Sequence, residues 1–343
     1  MNLLQIKNLT TTFNTDCGKI IAVDDISFSL KKGEVLGIIG ESGSGKSVTS
    51  LSIMNLVPKP NGCIEKGSIL FHNNDLLKLS DSEMCNIRGN KISMIFQEPM
   101  ISLNPVFTVG NQILEVLKIH KKGSKTENKQ KVLEILNNLK IPNPEEIIKK
   151  YPFELSGGMC QRIMIAIAMA CNPEIIIADE PTTALDVTTQ AEILDLLKNI
   201  TTHNNCSVLF ITHDLGIIAE LANRVIVMYK GKIVEECDVL EFFNNPLHPY
   251  SKALIKSMPQ KFNKRFFSIK GSIPSPYEHI KGCPYNTRCD KCIDICFIKA
   301  PQIKKINFNH TVCCWLNKEW FYDKFKWYWY FNRSKKFKKI FSR

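Results

Sequence analysis

The stretch EVLGIIGESGSGKS at residues 34–47 joins an apolar run to a loop that contains three glycines. Residues 34–39 have the composition of a buried β-strand, and the residues after Lys46 have the spacing of a helix. Strand, glycine loop and helix form the context in which G-x-x-x-x-G-K-S binds phosphate. The alternative, a glycine-rich turn with an incidental lysine, leaves the flanking strand and helix unexplained. The stretch therefore predicts a phosphate-binding loop at the end of a sheet strand.

The residues of this loop suit different parts of a magnesium nucleotide. Gly40, Gly43 and Gly45 allow the backbone to curl so that N–H groups point at phosphate oxygens, and the following helix adds its positive end. Lys46 would offset charge on the β and γ phosphates, and Ser47 would give its hydroxyl to Mg²⁺. The remaining predicted nucleotide contacts in the loop are Glu41, Ser42 and Ser44.

A second apolar run, EIIIADEP at residues 174–181, ends in two adjacent carboxylates. It has the composition of a buried strand in a parallel sheet, and neighbouring side chains on a strand point in opposite directions. The two acids can therefore have different roles. Asp179 suits magnesium ligation beside Ser47, and Glu180 suits polarising the water that attacks the γ phosphate.

A third apolar run, SVLFIT at residues 207–212, leads directly into His213. A single histidine is often structural. This one follows a core strand, at the edge where α/β sheets bind their ligands. We therefore expect His213 to contact the γ phosphate.

The stretch LSGGMCQR at residues 155–162 precedes an apolar helix. Ser156, Gly157 and Gly158 would leave free N–H groups at the start of that helix, which is a second anion-binding surface. One chain cannot readily use two such surfaces on one γ phosphate. The stretch therefore predicts a head-to-tail pair in which Ser156 of each chain closes over the nucleotide of the other. The alternative is a capped core helix with a Gly-Gly turn.

In combination these motifs resemble the ATP-binding subunits of ABC transporters, over residues 1 to about 316. The resemblance implies an α/β fold, namely a P-loop nucleotide-binding domain with a mixed sheet and an inserted helical subdomain. It also implies ATP and Mg²⁺ as cofactors. Residues 40–47 correspond to the Walker A motif, IIIADE at 175–180 to Walker B, and LSGGM at 155–159 to the signature motif.

The same resemblance assigns roles to residues outside these motifs. Gln97, in IFQEP, would reach Mg²⁺, take part in catalysis and couple to the membrane subunits. Asp186, in TTALD, would lie at the dimer contact, and Phe13 would stack on adenine. His213 corresponds to the switch histidine.

Within that family the chain looks most like the dipeptide and oligopeptide permease ATPases of bacteria. Residues 117–144 are more similar to the dipeptide type, and the other stretches that carry the resemblance are FQEPMISLNP (96–105), ADEPTTALDVTTQAEI (178–193) and NNPLHPYSKAL (244–254). The implied partners are two membrane-spanning permease subunits, a second ATPase chain and an extracytoplasmic peptide-binding protein, with no nucleic acid. Import of another substrate such as nickel, a soluble ABC ATPase that acts on ribosomes or DNA, and an iron–sulfur electron carrier are the alternatives.

The stretch GCPYNTRCDKCIDIC at residues 282–296, called the cysteine loop below, places four cysteines together. In a reducing compartment, clustered thiols more often hold a metal than form disulfides. The resemblance implies a [4Fe–4S] cluster on Cys283, Cys289, Cys296 and Cys314. A zinc site and free thiols remain alternatives. Cys292 and Cys313 depart from the family pattern and leave the choice of ligands open, because CDKC at residues 289–292 could chelate on its own.

The chain of 343 residues divides into a nucleotide-binding domain at 1–260, with a helical subdomain at about 88–172, a cysteine-rich segment at 261–317 and a tail at 318–343. The net charge is +12, of which the tail, with nine cations and two acids, carries +7. The body is therefore not a basic nucleic-acid platform. The eleven aromatics of the tail could bind an anionic membrane or RNA, or the tail could lack a function. With no export signal or spanning segment in the sequence, we expect a peripheral protein on the cytoplasmic face of the inner membrane.

Overall fold

The structure is a computed structural model, and it describes residues 2–183, 185–204, 206–258, 268–278 and 280–316. The aromatic tail at 318–343 lies outside these ranges, so its predicted roles stay predictions. The strands are β1 (Asn2–Thr15), β2 (Gly18–Lys31), β3 (Val35–Ile39), β4 (Gly62–Phe71), β5 (Asn74–Asp75), β6 (Ile92–Ile95), β7 (Ile175–Asp179), β8 (Ser207–Thr212), β9 (Arg224–Tyr229), β10 (Lys232–Asp238), β11 (Lys304–Asn307) and β12 (His310–Val312).

The helices include those that separate β3, β6, β7, β8 and β9 along the chain, as an α/β fold requires. They are α1 (Lys46–Ile53), α2 (Asp81–Ile87), α3 (Pro99–Ser102), α4 (Val109–Ile119), α5 (Lys125–Asn138), α6 (Pro144–Ile147), α7 (Gly157–Met169), α8 (Val187–Asn204), α9 (Leu215–Leu221), α10 (Val239–Asn244), α11 (Pro249–Ser257) and α12 (Ile295–Ile298), with 3₁₀ turns at Leu76–Lys78 and Pro152–Glu154. None of the helices in the described ranges has the length and hydropathy needed to cross a bilayer.

The large sheet has the strand order β11-β12-β10-β9-β3-β8-β7-β6 within the described residues. Strands β6, β7, β8, β3 and β9 run parallel, whereas β10, β12 and β11 are antiparallel to their neighbours. The sheet is therefore mixed, as expected. Every residue of β3, β7 and β8 is buried, which explains why these strands read as continuous apolar runs in the sequence.

A second, antiparallel sheet has the order β2-β1-β4-β5. Its inner face packs on the large sheet through residues such as Leu4, Ile26 and Ile69, which share one core with Ile38 and Ile226. Full burial of each such side chain stabilises the fold by about 1.5–3 kcal/mol. Strand β2 is joined to the turn between β9 and β10 by Asp24, whose N–H donates to the carbonyl of Gly231 at 2.9 Å.

Helices α3 to α7 lie between β6 and β7, in the region predicted as a helical subdomain. The first residues of that predicted region, Ile92–Ile95, form strand β6 of the large sheet and pair with β7. Inside the helical region, Ile113, Leu136 and Ile163 are fully buried in one shared core. The exact domain boundaries given above stay a prediction.

The last two strands of the described residues, β11 and β12, belong to the large sheet. Strand β12 pairs with β10, and Nε2 of the buried His310 donates a hydrogen bond to Glu235 at 2.7 Å. Glu235 also accepts hydrogen bonds from the N–H groups of Leu247 and His248, just before α11. One buried carboxylate thus joins β10, β12 and the start of α11. No local pattern predicted the pairing of Glu235 with His310, since the two residues lie 75 positions apart.

Candidate functional site

The phosphate loop, residues 40–47, follows the fully buried strand β3 and leads into α1. Two of its glycines are required by the surrounding backbone. Gly40 has a φ of 157° and Gly45 a φ of 101°. A Cβ on Gly40 would lie 2.3 Å from the carbonyl oxygen of Met228, and one on Gly45 would lie 2.5 Å from that of Ala22. No larger residue fits at these two positions without moving the backbone.

Lys46 is buried, and its Nζ donates to the carbonyls of Gly40 at 2.8 Å and Glu41 at 3.1 Å. Burial lowers the pKa of Lys46, while the nearby charges of Glu180, Asp179 and Glu41 oppose that shift. The hydroxyl of Ser44 is buried and has no hydrogen-bond partner within the described part of the chain. A buried cation and an unpaired hydroxyl in one glycine loop fit a bound phosphate group.

Asp179, the last residue of β7, faces the start of α1. Its Oδ1 accepts from the hydroxyl of Ser47 at 3.1 Å, and its Oδ2 accepts from that of Ser50 at 3.4 Å. Burial raises the pKa of Asp179, and the two serine hydroxyls work against that rise. A carboxylate and a hydroxyl at this spacing are oxygen donors of the kind that Mg²⁺ prefers.

Glu180 lies one residue beyond the strand, with a φ of 47°. Its separation from Asp179 therefore comes from this left-handed residue and not from strand alternation. The carboxylate accepts from Gln97 Nε2 at 3.1 Å and from the hydroxyl of Thr183 at 3.0 Å. His213 Nδ1 lies 3.2 Å from the other carboxylate oxygen. The structure thus brings Gln97, Glu180 and His213 together beside the phosphate loop.

Ser156 and Asp186 begin two neighbouring helices. Ser156 caps α7 by accepting from the N–H of Met159 at 3.4 Å. Asp186 accepts from the N–H of Thr189 at 3.0 Å and from its hydroxyl at 2.7 Å, and these bonds lower the pKa of Asp186. A Cβ on Gly158 would lie 2.6 Å from the methyl of Thr189, so the two helix starts are in contact. The side chains of Ser156 and Asp186 therefore make these hydrogen bonds within their own helices and not to the phosphate loop.

Phe13 is half-buried in β1. It pairs with Ile20 of β2 and with Gly62 of β4, and a Cβ on Gly62 would lie 2.8 Å from its ring. These contacts hold the ring at the end of the small sheet. Its predicted stacking on adenine stays a prediction.

All thirteen cysteines are free thiols. In the cysteine loop, Cys283 and Cys296 are buried and are joined by a backbone hydrogen bond of 2.8 Å. Burial raises the pKa of Cys283 to about 12, and the nearby thiols of Cys296, Cys314 and Cys313 add to that rise. Burial also raises the pKa of Cys314 to about 11, with a contribution from Cys289 and Cys296. The four predicted ligands therefore lie near one another, and the fold brings Cys314 from outside the cysteine loop to the other three.

The two additional cysteines differ in their surroundings. Cys292 lies against Cys296 and Cys289, and burial raises the pKa of its thiol to about 11. The thiol of Cys313 instead donates to the carbonyl of Pro301 at 3.0 Å. Cys292 and Cys313 both lie near predicted ligands, but the thiol of Cys313 is engaged by the carbonyl of Pro301.

A tetrahedral zinc site with Zn–S bonds of about 2.3 Å needs sulfur atoms roughly 3.8 Å apart. Among the described residues, only Glu235, Cys237 and His310 have three donor atoms within 4.8 Å of one another. No three thiols of the cysteine loop are that close. In the Glu235 group, both carboxylate oxygens already accept hydrogen bonds from Leu247, His248 and His310, so this carboxylate has a structural role.

Sequence reasoning missed several residues of this site. Ser50 and Thr183 lie three positions after Ser47 and Glu180, and that spacing could have indicated a shared helical or turn face. Tyr250 and Arg288, which bond to Glu41, lie more than 200 residues away from it. No local signal could have identified them.

Two family profiles match the chain. The ABC transporter profile matches residues 23–183, and the profile for the C-terminal region of oligopeptide/dipeptide transporters matches residues 234–296. The oligopeptide transport ATP-binding protein AppD of Bacillus subtilis is 49% identical over 323 residues, which cover 92% of this chain and 97% of that protein. The dipeptide transport ATP-binding protein DppD of Escherichia coli is 44% identical over 308 residues, covering 89% and 94% of the two chains.

The fold is similar to solved ATP-binding cassettes. The dimeric cassette MJ0796, in a post-hydrolysis state bound to ADP and phosphate, superposes with a TM-score of 0.62 at 32% identity and covers 69% of this chain and 98% of that chain. This chain belongs to the ABC transporter family, and the predicted P-loop α/β fold is confirmed. Within that family it belongs with the oligopeptide and dipeptide transport ATP-binding proteins.

Proposed function

We propose that this chain hydrolyses ATP and thereby energises the import of dipeptides or oligopeptides through a membrane transporter. The observation that carries the proposal is the Glu180 carboxylate, which lies between Gln97 and His213 and acts electrostatically on the buried Lys46. A carboxylate next to a phosphate-binding lysine can orient and polarise an attacking water. Membership of a family of peptide-transport ATPases supports the coupling to import.

The residues of the site would divide the chemistry among them. Lys46 and the N–H groups of the phosphate loop would hold the β and γ phosphates. Ser47, Asp179 and Gln97 would hold Mg²⁺, which when bound offsets phosphate charge. Glu180 would polarise the water, and His213 would keep the geometry of attack.

A second ATPase chain would complete the site. Ser156 and Gly157 are exposed at the start of α7, and the side chains of Ser156 and Asp186 bond within their own helices. An exposed helix start with free N–H groups suits a γ phosphate held by another chain. The dimeric cassette with the same fold supports this arrangement. The partner could be identical to this chain or different from it.

The permease subunits would dock beside Gln97. Residues 100–107 follow Gln97 closely and expose four large apolar side chains, of which Ile101 is 78% and Val106 is 70% exposed. Adjacent apolar side chains left in water mark a protein-binding surface. The full set is Met100, Ile101, Val106 and Phe107. We place this surface against the cytoplasmic side of two permease subunits, which in turn meet an extracytoplasmic peptide-binding protein.

We further propose that Cys283, Cys289, Cys296 and Cys314 hold a [4Fe–4S] cluster. Support comes from the mutual proximity of the four thiols, and from a spacing wider than a tetrahedral zinc ion requires. A cluster is larger than a single ion and suits that spacing. The test is the iron, acid-labile sulfide and zinc content of anaerobically purified protein, with Cys283→Ser/Cys289→Ser as the variant. About four irons and four sulfides, lost in the variant, support the cluster, and one zinc or no metal contradicts it.

The function itself is tested with the chain, its permease subunits and binding protein in vesicles. We expect ATP-dependent uptake of a labelled dipeptide, abolished by Lys46→Ala. Uptake of nickel without peptide would favour another substrate, and ATPase activity that no permease subunit influences would favour a soluble ATPase. Electron transfer by a cluster, with uptake unaffected by its loss, would favour an electron carrier.

A further inference from the structure

Glu41 of the phosphate loop is held by the cysteine loop. Its Oε2 lies 2.6 Å from Nη1 of Arg288 and its Oε1 lies 3.0 Å from Nη2, which is a two-pronged ion pair across 247 residues of sequence. Such paired hydrogen bonds fix orientation as well as charge. Arg288 directly precedes Cys289, so this contact joins the two loops.

The arginine is itself rigidly held. Its side chain is 4% exposed, and its Nε donates to the carbonyl of Lys270 at 3.0 Å. The guanidinium lies over the rings of Tyr229 and Tyr285, at 5.8 and 6.0 Å from their centroids. These contacts leave the guanidinium with one orientation, toward Glu41.

Tyr250, which packs against the same two tyrosine rings as Arg288, holds the backbone of Glu41. The N–H of Glu41 donates to the hydroxyl of Tyr250 at 2.8 Å. The ring of Tyr250 packs on Tyr229 and Tyr285, at centroid distances of 4.8 and 5.2 Å. The carbonyl of Glu41 accepts from Lys46 Nζ at 3.1 Å. Movement of Glu41 would therefore move the loop that carries Lys46.

Glu41 also carries a negative charge at a site for phosphates. Its charge reaches Lys46, since it opposes the effect of burial on the pKa of that lysine. Without a counter-ion, the same charge would repel a bound triphosphate. The paired guanidinium offsets this charge and fixes the position of the carboxylate.

We propose that Arg288 is a positioning residue for nucleotide binding: from the cysteine loop it neutralises and orients Glu41, and so sets the affinity of the phosphate loop for ATP. This inference rests on the proposed function of the loop. It makes the cysteine loop part of the nucleotide site through one ion pair. Arg288 would act on the nucleotide through Glu41 and Lys46.

The test is a double-mutant cycle on the purified full-length chain, read as the dissociation constant of a fluorescent ATP analogue without hydrolysis. We expect Arg288→Met to weaken binding about tenfold, which is about 1.4 kcal/mol. The double variant Glu41→Gln/Arg288→Met should bind within about twofold of Glu41→Gln alone, because the uncompensated charge is gone. If Arg288 only stabilised the fold, removal of the Glu41 charge would not restore the affinity in the double variant.

Two further variants keep the test decisive. Arg288→Lys keeps the positive charge but cannot make the paired hydrogen bonds to Glu41. We expect it to bind the analogue about threefold more weakly than the wild type. It replaces Arg288→Met if that variant is too unstable to purify. Lys230→Met removes another contact to the C-terminal segment, at the carbonyls of Ser275 and Glu278, and should change affinity less than twofold.

The outcomes separate this inference from the proposed function. Wild-type affinity in Arg288→Met, or a double variant as weak as Arg288→Met, overturns the inference. Wild-type affinity in Arg288→Lys also overturns the inference. If the wild type binds no ATP analogue, or Lys46→Ala binds it equally well, the proposed function fails instead.

Discussion

His213 Nδ1 lies 3.2 Å from Oε1 of Glu180, and the other oxygen of this carboxylate accepts from Gln97 at 3.1 Å. The two contacts hold the carboxylate from both sides. The imidazole is 62% exposed, while the carboxylate is 14% exposed. The acid is thus fixed by the fold, and the histidine remains open to a bound phosphate.

Replacement of Glu180 by Gln should stop turnover without loss of ATP binding. Gln keeps the size and the hydrogen bonds to Gln97 and Thr183 but cannot polarise water, so we expect the hydrolysis rate to fall by about 10²-fold or more. The measurements are steady-state ATPase activity and ATP-dependent dimerisation by size-exclusion chromatography. The variant should dimerise on adding ATP and remain dimeric. Normal hydrolysis in this variant would contradict the role of Glu180.

Gly157 and Gly158 offer a matched pair of alanine variants. A Cβ on Gly157 meets no atom within 4 Å, whereas one on Gly158 meets the Thr189 methyl at 2.6 Å. We expect Gly158→Ala to destabilise the fold by about 1–2 kcal/mol through overpacking. Gly157→Ala should keep the wild-type melting temperature and lose ATPase activity at least about tenfold, because in the proposed pair of chains the added methyl would meet the nucleotide of the partner chain.

The control for Gly158→Ala is Thr189→Ser in the same chain. Serine lacks the obstructing methyl but keeps the hydroxyl that donates to Asp186. In thermal unfolding, the double variant Gly158→Ala/Thr189→Ser should regain most of the stability that Gly158→Ala loses. Full activity in Gly157→Ala would argue against a partner nucleotide at this helix start.

Asp179→Asn should stabilise the nucleotide-free protein. Burial raises the pKa of Asp179, so its contribution to stability is present at low pH and is lost as the pH rises through the pKa in the fold. At neutral pH the buried charge is a cost, which asparagine removes. Removal of each kcal/mol of that cost raises the melting temperature by roughly 2–4 °C.

Magnesium ATP should reverse the order of the two melting temperatures. Only the wild type has the carboxylate that would ligate the metal, so only the wild type is stabilised by binding. The measurement is differential scanning fluorimetry of both proteins, with and without magnesium ATP, and with EDTA as the removal control. An equal ligand-induced shift in both proteins would contradict a magnesium role for Asp179.

Glu235→Gln should weaken the attachment of β12. Burial alone would raise the pKa of Glu235, but hydrogen bonds from His310 and from the start of α11 outweigh it and leave the pKa below its ordinary value of 4.5. The stabilisation by the carboxylate is therefore full above that value and is lost as the pH falls through the pKa in the fold. We expect a loss of about 3 kcal/mol at neutral pH.

The measurement is the melting temperature of wild type and variant from pH 7 to below the ordinary pKa of 4.5. The difference between them should shrink as the pH falls. The exposed Glu220, paired with Lys198 at 3.8 Å, gives the control, and Glu220→Gln should cost less than about 1 kcal/mol. A melting-temperature difference between wild type and Glu235→Gln that does not change with pH would contradict stabilisation by the ionised carboxylate.

The sequence predicted the parts of this protein that depend on local pattern. The buried runs before Gly40, in residues 175–179 and before His213 are strands β3, β7 and β8, because a parallel strand with both faces covered must be apolar throughout. The glycine loop and the capped α7 follow from backbone freedom and from Ser156, which are also local properties.

Only the tertiary structure decided how these parts meet. The sharing of Glu180 between Gln97 and His213, the attachment of β12 to β10, and the pairing of Arg288 with Glu41 join residues far apart in the chain. Such contacts are set by packing and by the pairing of buried charges, which local sequence spacing does not encode. For that reason the sequence by itself determined the nucleotide-binding motifs, whereas the link between the cysteine loop and the phosphate loop became visible only in three dimensions.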